Sequence, residues 1–565
     1  MSVADQRVLT TMGVNSVAPR EWLTALSATL ALILLMAIPY VLGYTLAGED
    51  VVFTGIIMNA EDTQSYFAKM LQGYDGAWRY YIPFTPEAHE PVFLGGFYLA
   101  LGHAARWLGL SLEAVWHGAR VAADLLLGLS AYWFIAAFLR SVRRRVTAHL
   151  LALFGSGAGW VLLLLGQSNW LGHFPVDFHM PEAHLFFTAF TSPHVALGTA
   201  LLLVGMRLLW QLLWGVGASD WGAALLLGLC LLLLVVVYPF LIYLATLSAL
   251  LAGLLRVWQL WRAGRLASGP LLTLGSRVGV AFLMPAPLVI YYALVLRQNA
   301  VFRAWDMQAI TPSPPWPHYV VAFGPLLFWA FLGLRDRERP ASAGFLWVWL
   351  TAAALLVYAP LNPQRRFVQG AQAPLAILAT VGFLGVAWPW LRGTRAVQAL
   401  LRRPRYSAAG LRRFAIVLFL AGMSLSNLYV LASVSVTAAV EQPYPLFRAA
   451  DEVQAAAWMR ANGQREAVVL AAYQTGNYVA ARAGNRVVLG HWAETVAFAE
   501  KTQAVQRFFR IDTSDEWRRA LLQEYGVDYV WHGPPERWLG DFDPAAADYL
   551  RPVHRVGDVV VYRVD

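Results

Sequence analysis

Long apolar runs recur through the first 437 residues and then stop. They lie near 22–45, 114–139, 147–166, 193–213, 222–238, 240–256, 278–296, 318–334, 343–360, 372–391 and 413–436. Each approaches the roughly 20 residues, at 1.5 Å apiece, that a helix needs to cross hydrocarbon. The stretch 222–256 is too long for one helix and carries Tyr238-Pro239 at its middle. Proline removes a helix hydrogen bond and disfavours helix in the residue before it, so two short spans meeting at a turn are expected. Residues 91–110 are apolar but contain His103 and Arg106, which suits a helix lying in the membrane interface. The first run follows Arg7 and Arg20 and exceeds the 7–15 apolar residues of a signal peptide, which predicts an uncleaved anchor. Beyond residue 437 the period changes. Short β-branched strings (Val468-Val469-Leu470, Val487-Val488-Leu489, Asp528-Tyr529-Val530, Val559-Val560-Val561) alternate with helical patterns at 449–462, 493–509 and 514–525, and a hairpin is expected at Gly557-Asp558. The expected fold is therefore an α-helical polytopic membrane protein of about eleven transmembrane helices. Residues 1–437 form the membrane domain, with an outer loop 46–113, and 438–565 form a soluble extracytoplasmic α/β domain.

Composition agrees with this division. Of 565 residues, 58% are hydrophobic and 14% charged, against about 25% charged in soluble proteins. That excludes a soluble enzyme, a disordered scaffold and a coiled coil. The net charge of +9 is unevenly placed: 1–437 hold 29 basic and 17 acidic side chains, 438–565 hold 14 and 17. An excess confined to the membrane part reports sidedness rather than a nucleic-acid partner. With the N-terminus inside, 20 of those 29 cations fall at or beside the segments 1–21, 140–146, 214–221, 257–277, 335–342 and 392–412. The outer loops hold seven cations and eleven acids. The self-consistent topology is N-terminus cytoplasmic, tail extracytoplasmic, in the cytoplasmic membrane. Only Lys69 and Lys501 are lysine, a skew read here as coding bias, and the single Cys230 permits no intrachain disulfide.

Several outer clusters carry chemistry. Glu61-Asp62 is an adjacent carboxylate pair just after a span, where partial desolvation can poise one as a base. Asp62 as the N-cap of a helix starting at Thr63 is the alternative. Tyr66, Trp78, Tyr81, His89 and Glu90 supply the rings and polar groups that sugar binding uses, and equally those of an interface belt. His173, His179, His184 and His194, with Asp177 and Glu182, could hold a divalent metal such as Mg or Mn or be incidental loop residues; Glu182 and His184 are the metal-ligand candidates. Arg120 and Asp124, one helical turn apart, read as a buried pair, with Arg120 also within reach of an anion. Arg365 and Arg366 stand on the outer side, against the charge rule. Their forks suit a phosphate, on a phospholipid headgroup or on a phosphorylated lipid substrate.

The acidic first loop, the many spans, the outer arginines and the extracytoplasmic tail together resemble the GT-C superfamily of integral-membrane glycosyltransferases. Its protein-O-mannosyltransferase-like and aminoarabinose-transferase-like branches are nearest in layout. The resemblance rests on Glu61-Asp62 with Tyr66, on Glu87-x-His89-Glu90-Pro91 and on Arg365-Arg366. Branches with two adjacent aspartates have Glu-Asp here, and the Trp-Trp-Asp triplet of oligosaccharyltransferases is absent. The tail, through Gln474-Thr475-Gly476-Asn477-Tyr478, Gly490-His491-Trp492-Ala493-Glu494-Thr495 and Tyr525-Gly526-Val527-Asp528-Tyr529-Val530, is similar to that of a group of uncharacterised bacterial membrane proteins. The resemblance implies a polyprenyl-phosphate-linked sugar donor, met in the membrane lipid, and inverting transfer to a hydroxyl of a glycan, lipid or protein acceptor outside the cytoplasm. Asp62 would be the base with Glu61 tuning it. Arg365, Arg366 and Arg120 would bind the donor phosphate. The first-loop rings, with His89, Glu90, His194, His491 and Trp492, would hold sugar or acceptor. A flippase for a lipid-linked sugar would use the same arginines without a base, although no inverted repeat or matched pair of broken helices is visible in the sequence. A non-catalytic sensor is a third reading.

Overall fold

The computed structural model describes residues 17–215, 221–336 and 343–565. Arg7 and parts of the expected cytoplasmic segments 1–21, 214–221 and 335–342 lie outside the described residues. Among the described residues, six helices are long and apolar enough to cross a membrane: Pro19–Leu46, Leu112–Phe138, Pro193–Trp214, Leu241–Arg262, Trp316–Arg335 and Gln372–Gly393. Two bent pairs, Ser268–Leu283 with Ala286–Gln298 (43°) and Ala408–Gly422 with Leu425–Glu441 (52°), bring the number to eight if each pair is one span, against the eleven expected. Trp221–Val237 and Ala343–Leu356 are shorter apolar helices. The helix break at Tyr238-Pro239 falls where the proline predicted it.

The run 147–166 departs from expectation. It is a helix over Val142–Phe154, a break, and a six-residue helix over Gly159–Leu164. Hydropathy could not see the break because Gly155, Ser156, Gly157 and Ala158 count as apolar or neutral. Side chains from other segments satisfy the backbone that the break releases. Asn427 Nδ2 donates to the Phe154 and Gly155 carbonyls (2.8 and 3.0 Å), Gln372 Nε2 donates to Gly155 (2.6 Å), and Ser156 Oγ donates to Met423 (2.9 Å). Lipid offers no partner for such groups, so a broken helix persists only where protein replaces the lost bonds.

The chain forms two compact units. The first comprises residues up to Ala37, Arg120–Val289 and Thr311–Ser433. In it, Arg145 pairs with Glu21 (2.8 Å) and Arg144 with Asp336 (3.2 Å), joining three segments that charge counting placed on one side.

The second unit comprises Ile38–Ala119, Ile290–Ile310 and Val434–Asp565. The tail is therefore not a separate body beginning at 438. Strand β1 (Val51–Phe53) pairs antiparallel with β2 (Phe447–Ala449). One hydrophobic core combines Phe67 and Met70 of the outer loop and Trp116 of the helix Leu112–Phe138 with Val301 and Phe302, and with Val469, Val479 and Trp531 of the tail. The tail carries a five-stranded mixed sheet of β3 (Val468–Leu470), β4 (Arg486–Val487), β5 (Val527–His532), β6 (Leu550–Val556) and β7 (Val559–Val564), ordered β4-β3-β5-β7-β6. The β6–β7 hairpin turns at Gly557, whose φ of +46° explains the glycine. Ala450–Asn462, Phe498–Phe508 and Asp515–Glu524 supply the expected helices. The strand expected over 487–489 is confined to Arg486–Val487.

Candidate active site

The carboxylate pair opens a helix, Ala60–Tyr74, whose N-cap is Asn59 in the left-handed region with no side-chain cap. Asp62 is thus not the cap but lies inside the first turn beside Glu61, at the end of the helix where acidic side chains complement the dipole. The two carboxylates line a cleft of about 330 Å³ together with Asn59, Ala60, Pro445 and Trp492.

Each carboxylate has a partner brought from the tail. The buried His491 places Nε2 3.0 Å from Asp62 Oδ1, and the Ala493 backbone N–H points at His491 Nδ1 (3.3 Å). With Nδ1 accepting, Nε2 carries the proton and donates to Asp62, so the backbone sets the tautomer. Glu61 Oε1 accepts from Gln474 Nε2 at 3.0 Å and is hydrogen-bonded to the Tyr473 hydroxyl, whose pKa burial and this carboxylate push upward. Tyr473 and Gln474 open the helix Tyr473–Arg482. Buried Arg448 holds the Gln474 carbonyl (2.7 Å), and buried Glu536 takes the Ala472 and Gly533 N–H groups (2.8 and 2.9 Å). Burial raises the Glu536 carboxyl to about 7 despite those hydrogen bonds.

Beneath the cleft, one turn and two turns along from Asp62, lie Ser65 and Lys69. Lys69 Nζ contacts Ser65 Oγ (2.6 Å) and Glu494 Oε1 (3.1 Å), and Tyr80 donates to Glu494 Oε2 (2.5 Å). Burial lowers the Lys69 ammonium, opposed by Glu494 and Asp62. Burial works to raise Glu494, but Lys69, His491, Ser65 and Tyr80 together hold it below the usual carboxylate range. The chain's other lysine, Lys501, is also buried and pairs with Glu87 (2.6 Å). Both lysines of the chain are thus buried in ion pairs, as are Arg145 with Glu21 and Arg448 with Glu452.

The other first-loop residues lie elsewhere in this unit. Tyr66 stacks on Tyr98 with centroids 4.5 Å apart and packs against the core. Trp78 stacks on His103 (4.0 Å) and Tyr81 on His89 (3.9 Å). His89 is tied to backbone at both ring nitrogens, accepting from Ile82 N–H and meeting the Glu87 carbonyl. Glu90 is exposed, and its carbonyl takes the Asn299 amide. None of these five lines the cleft.

In the first unit, the outer arginines sit on a short 3-10 turn, Gln364–Val368. The Arg366 guanidinium lies 5.3 Å from the Phe240 ring and 5.9 Å from the Tyr238 ring, and His194 meets Tyr238 edge-on at 5.1 Å. Burial lowers the His179 imidazole, Arg365 adds to the effect and Glu182 opposes it, so these three share one electrostatic neighbourhood. Arg365 Nε and Glu182 Oε2 are buried without a hydrogen bond from the described residues. His184 turns instead to Asp177 (3.5 Å), whose other oxygen accepts from Ser426 Oγ (2.6 Å) and Gly159 N–H (2.8 Å). Glu182 and His184 therefore do not share a ligand set, and no group of three His, Cys, Asp or Glu among the described residues is arranged to hold a metal. Arg120 is buried within the field of Asp124, as a structural pair would be.

No family model matches the chain, and no curated protein sequence matches it. Solved structures do. ArnT from Cupriavidus metallidurans bound to undecaprenyl phosphate superimposes with a TM-score of 0.52 at 13% identity, covering 97% of this chain and 98% of that one. The same protein in the apo state gives 0.50 at 12% identity, over 95% and 98%. The Archaeoglobus fulgidus oligosaccharyltransferase tethered to an acceptor peptide gives 0.48 at 15%, over 89% and 69%. The match to ArnT runs nearly end to end in both chains and shows that this chain shares the fold of that protein.

Proposed function

We propose that this protein is a multi-pass membrane glycosyltransferase. It moves a sugar from a polyprenyl-phosphate donor to an acceptor hydroxyl on the outer face of the cytoplasmic membrane, with inversion. The observation that carries the reading is the Asp62–His491 contact at the mouth of a cleft walled by Glu61 and Trp492, in a chain of GT-C fold. The lipid class follows that of the undecaprenyl phosphate bound to ArnT.

In this mechanism Asp62 takes the proton of the acceptor hydroxyl as its oxygen attacks the anomeric carbon. The bond from that carbon to the phosphate oxygen breaks, and its electron pair leaves with the lipid phosphate. Arg365 and Arg366 stabilise the charge that develops there. His491 orients Asp62 through a charge-assisted hydrogen bond, and Glu61, held by Gln474 and Tyr473, keeps the cleft acidic. The Trp492 ring offers a face to a pyranose. Glu182 and His184 carry no metal-dependent step in this scheme. The second reading is a flippase for the same lipid-linked sugar, which would use the same arginines without a base.

Asp62→Asn separates the two. A transferase loses at least about 10²-fold in sugar transfer, the share of a general base, while a flippase keeps full translocation in proteoliposomes. Wild-type transfer in the variant would remove Asp62 from the mechanism.

A further inference from the structure

Asp62, Ser65 and Lys69 fall at i, i+3 and i+7 on one face of the helix Ala60–Tyr74. Opposite them, His491 and Glu494 lie three residues apart in one turn, whose Glu494 and Thr495 N–H groups both reach the His491 carbonyl (3.0 and 2.9 Å). The two faces meet rung by rung: His491 against Asp62, then Glu494 against Ser65 and Lys69. The upper rung borders the cleft. The lower rung is sealed, with Lys69 5% and Glu494 3% exposed, Tyr80 closing it from the first-loop side and the Lys69 ammonium 4.0 Å from the Tyr80 ring centroid. Gly95 belongs to the same enclosure. A Cβ there would come within 2.7 Å of Lys69 Cδ, so the lysine stem runs where only glycine leaves room.

We propose that the buried Lys69–Glu494 pair is a positioning device for Asp62: it pins the 491–494 turn to the carboxylate helix, delivers His491 to Asp62, and sets Asp62 between opposing charges. Neither residue touches substrate. This rests on the reading of Asp62 as the base. Among the described residues, the charged and titratable groups around Asp62 include Glu61 and Lys69 on its own helix, His491 on the turn and Tyr473 on the helix Tyr473–Arg482, with Glu494 acting through Lys69 and His491. Lys69 attracts the Asp62 carboxylate, and Glu494 attracts both Lys69 and His491.

The test uses the full chain in lipid nanodiscs with isotope-labelled histidine, the His491 resonance being assigned by its loss in His491→Gln. Lys69→Met is expected to raise the His491 titration midpoint and the acid limb of the kcat/KM profile by at least about half a pH unit. Glu494→Gln is expected to lower both. The double variant brings the limb back toward wild type but keeps a kcat roughly tenfold lower at unchanged acceptor KM, because the turn is no longer held. Shifts of the same sign in the two single variants, or none in folded protein, would overturn the proposal, as would wild-type kcat in the double variant. Should either single variant fail to fold, the double variant decides alone. If wild-type protein transfers no sugar, the glycosyltransferase reading fails, while the histidine titration still decides the role of the pair.

Discussion

The two candidate sites are built on opposite principles. In the second unit every charge near Asp62 is met by protein: His491 on Asp62, Gln474 and Tyr473 on Glu61, Glu494 on Lys69. In the first unit the buried Arg365 Nε and Glu182 Oε2 keep hydrogen-bonding capacity that the described residues do not use. An unmade hydrogen bond from a buried polar group costs about 1–3 kcal/mol, more for charged groups. On the proposed reading, fixed geometry suits a base and unused hydrogen-bonding capacity suits a phosphate site.

Substitutions can break this contrast. The largest effect is expected for Asp62→Asn, which should abolish turnover while leaving donor binding near wild type in an equilibrium assay with a polyprenyl-phosphate probe. Arg365→Ala should do the reverse first, weakening that probe by about 10–100-fold, the worth of one hydrogen bond to a charged group. Equal probe affinity in wild type and Arg365→Ala would remove the phosphate role. His491→Ala should lower kcat by roughly tenfold, since it removes the orienting hydrogen bond and leaves the base in place; an unchanged kcat would reduce His491 to packing. The smallest effect concerns Glu536, which supports the turn holding Glu61. Its folded pKa of about 7 lies above the ordinary 4.5, so between those values the folded state binds more protons than the unfolded one. Its contribution to stability is greatest at low pH and declines as pH rises from about 4.5 to 7. In Glu536→Gln that component of the Tm-versus-pH curve should vanish; an identical curve would show that the carboxyl does not titrate there.

Legibility in the sequence followed the range of the interaction. The long apolar helices, the hairpin at Gly557 and the helices of the tail depend on local period and on glycine or proline, and they emerged near their expected bounds. The break at 155–158 did not, because it is stabilised by Asn427 and Gln372, more than 200 residues away. The alternative of Asp62 as a cap failed because the helix starts three residues earlier, at Ala60, with Asn59, itself a preferred capping residue, in the N-cap position. Tyr66, Trp78 and Tyr81 had the composition of a sugar platform, yet each found a stacking partner within the fold.

By itself, then, the sequence determined that the chain is a polytopic membrane protein with an α/β tail, and it marked Glu61, Asp62, Arg365 and Arg366 as chemistry outside the pattern. Those are properties of hydropathy, period and charge placement, which act along the chain. Only the tertiary structure decided that the tail shares a core with the first loop, that His491 meets Asp62 across 429 positions, and that Lys69 and Glu494 are buried together. A hydrogen bond or buried ion pair between distant segments leaves no periodic trace in either one. Its geometry exists only after the core has brought them together.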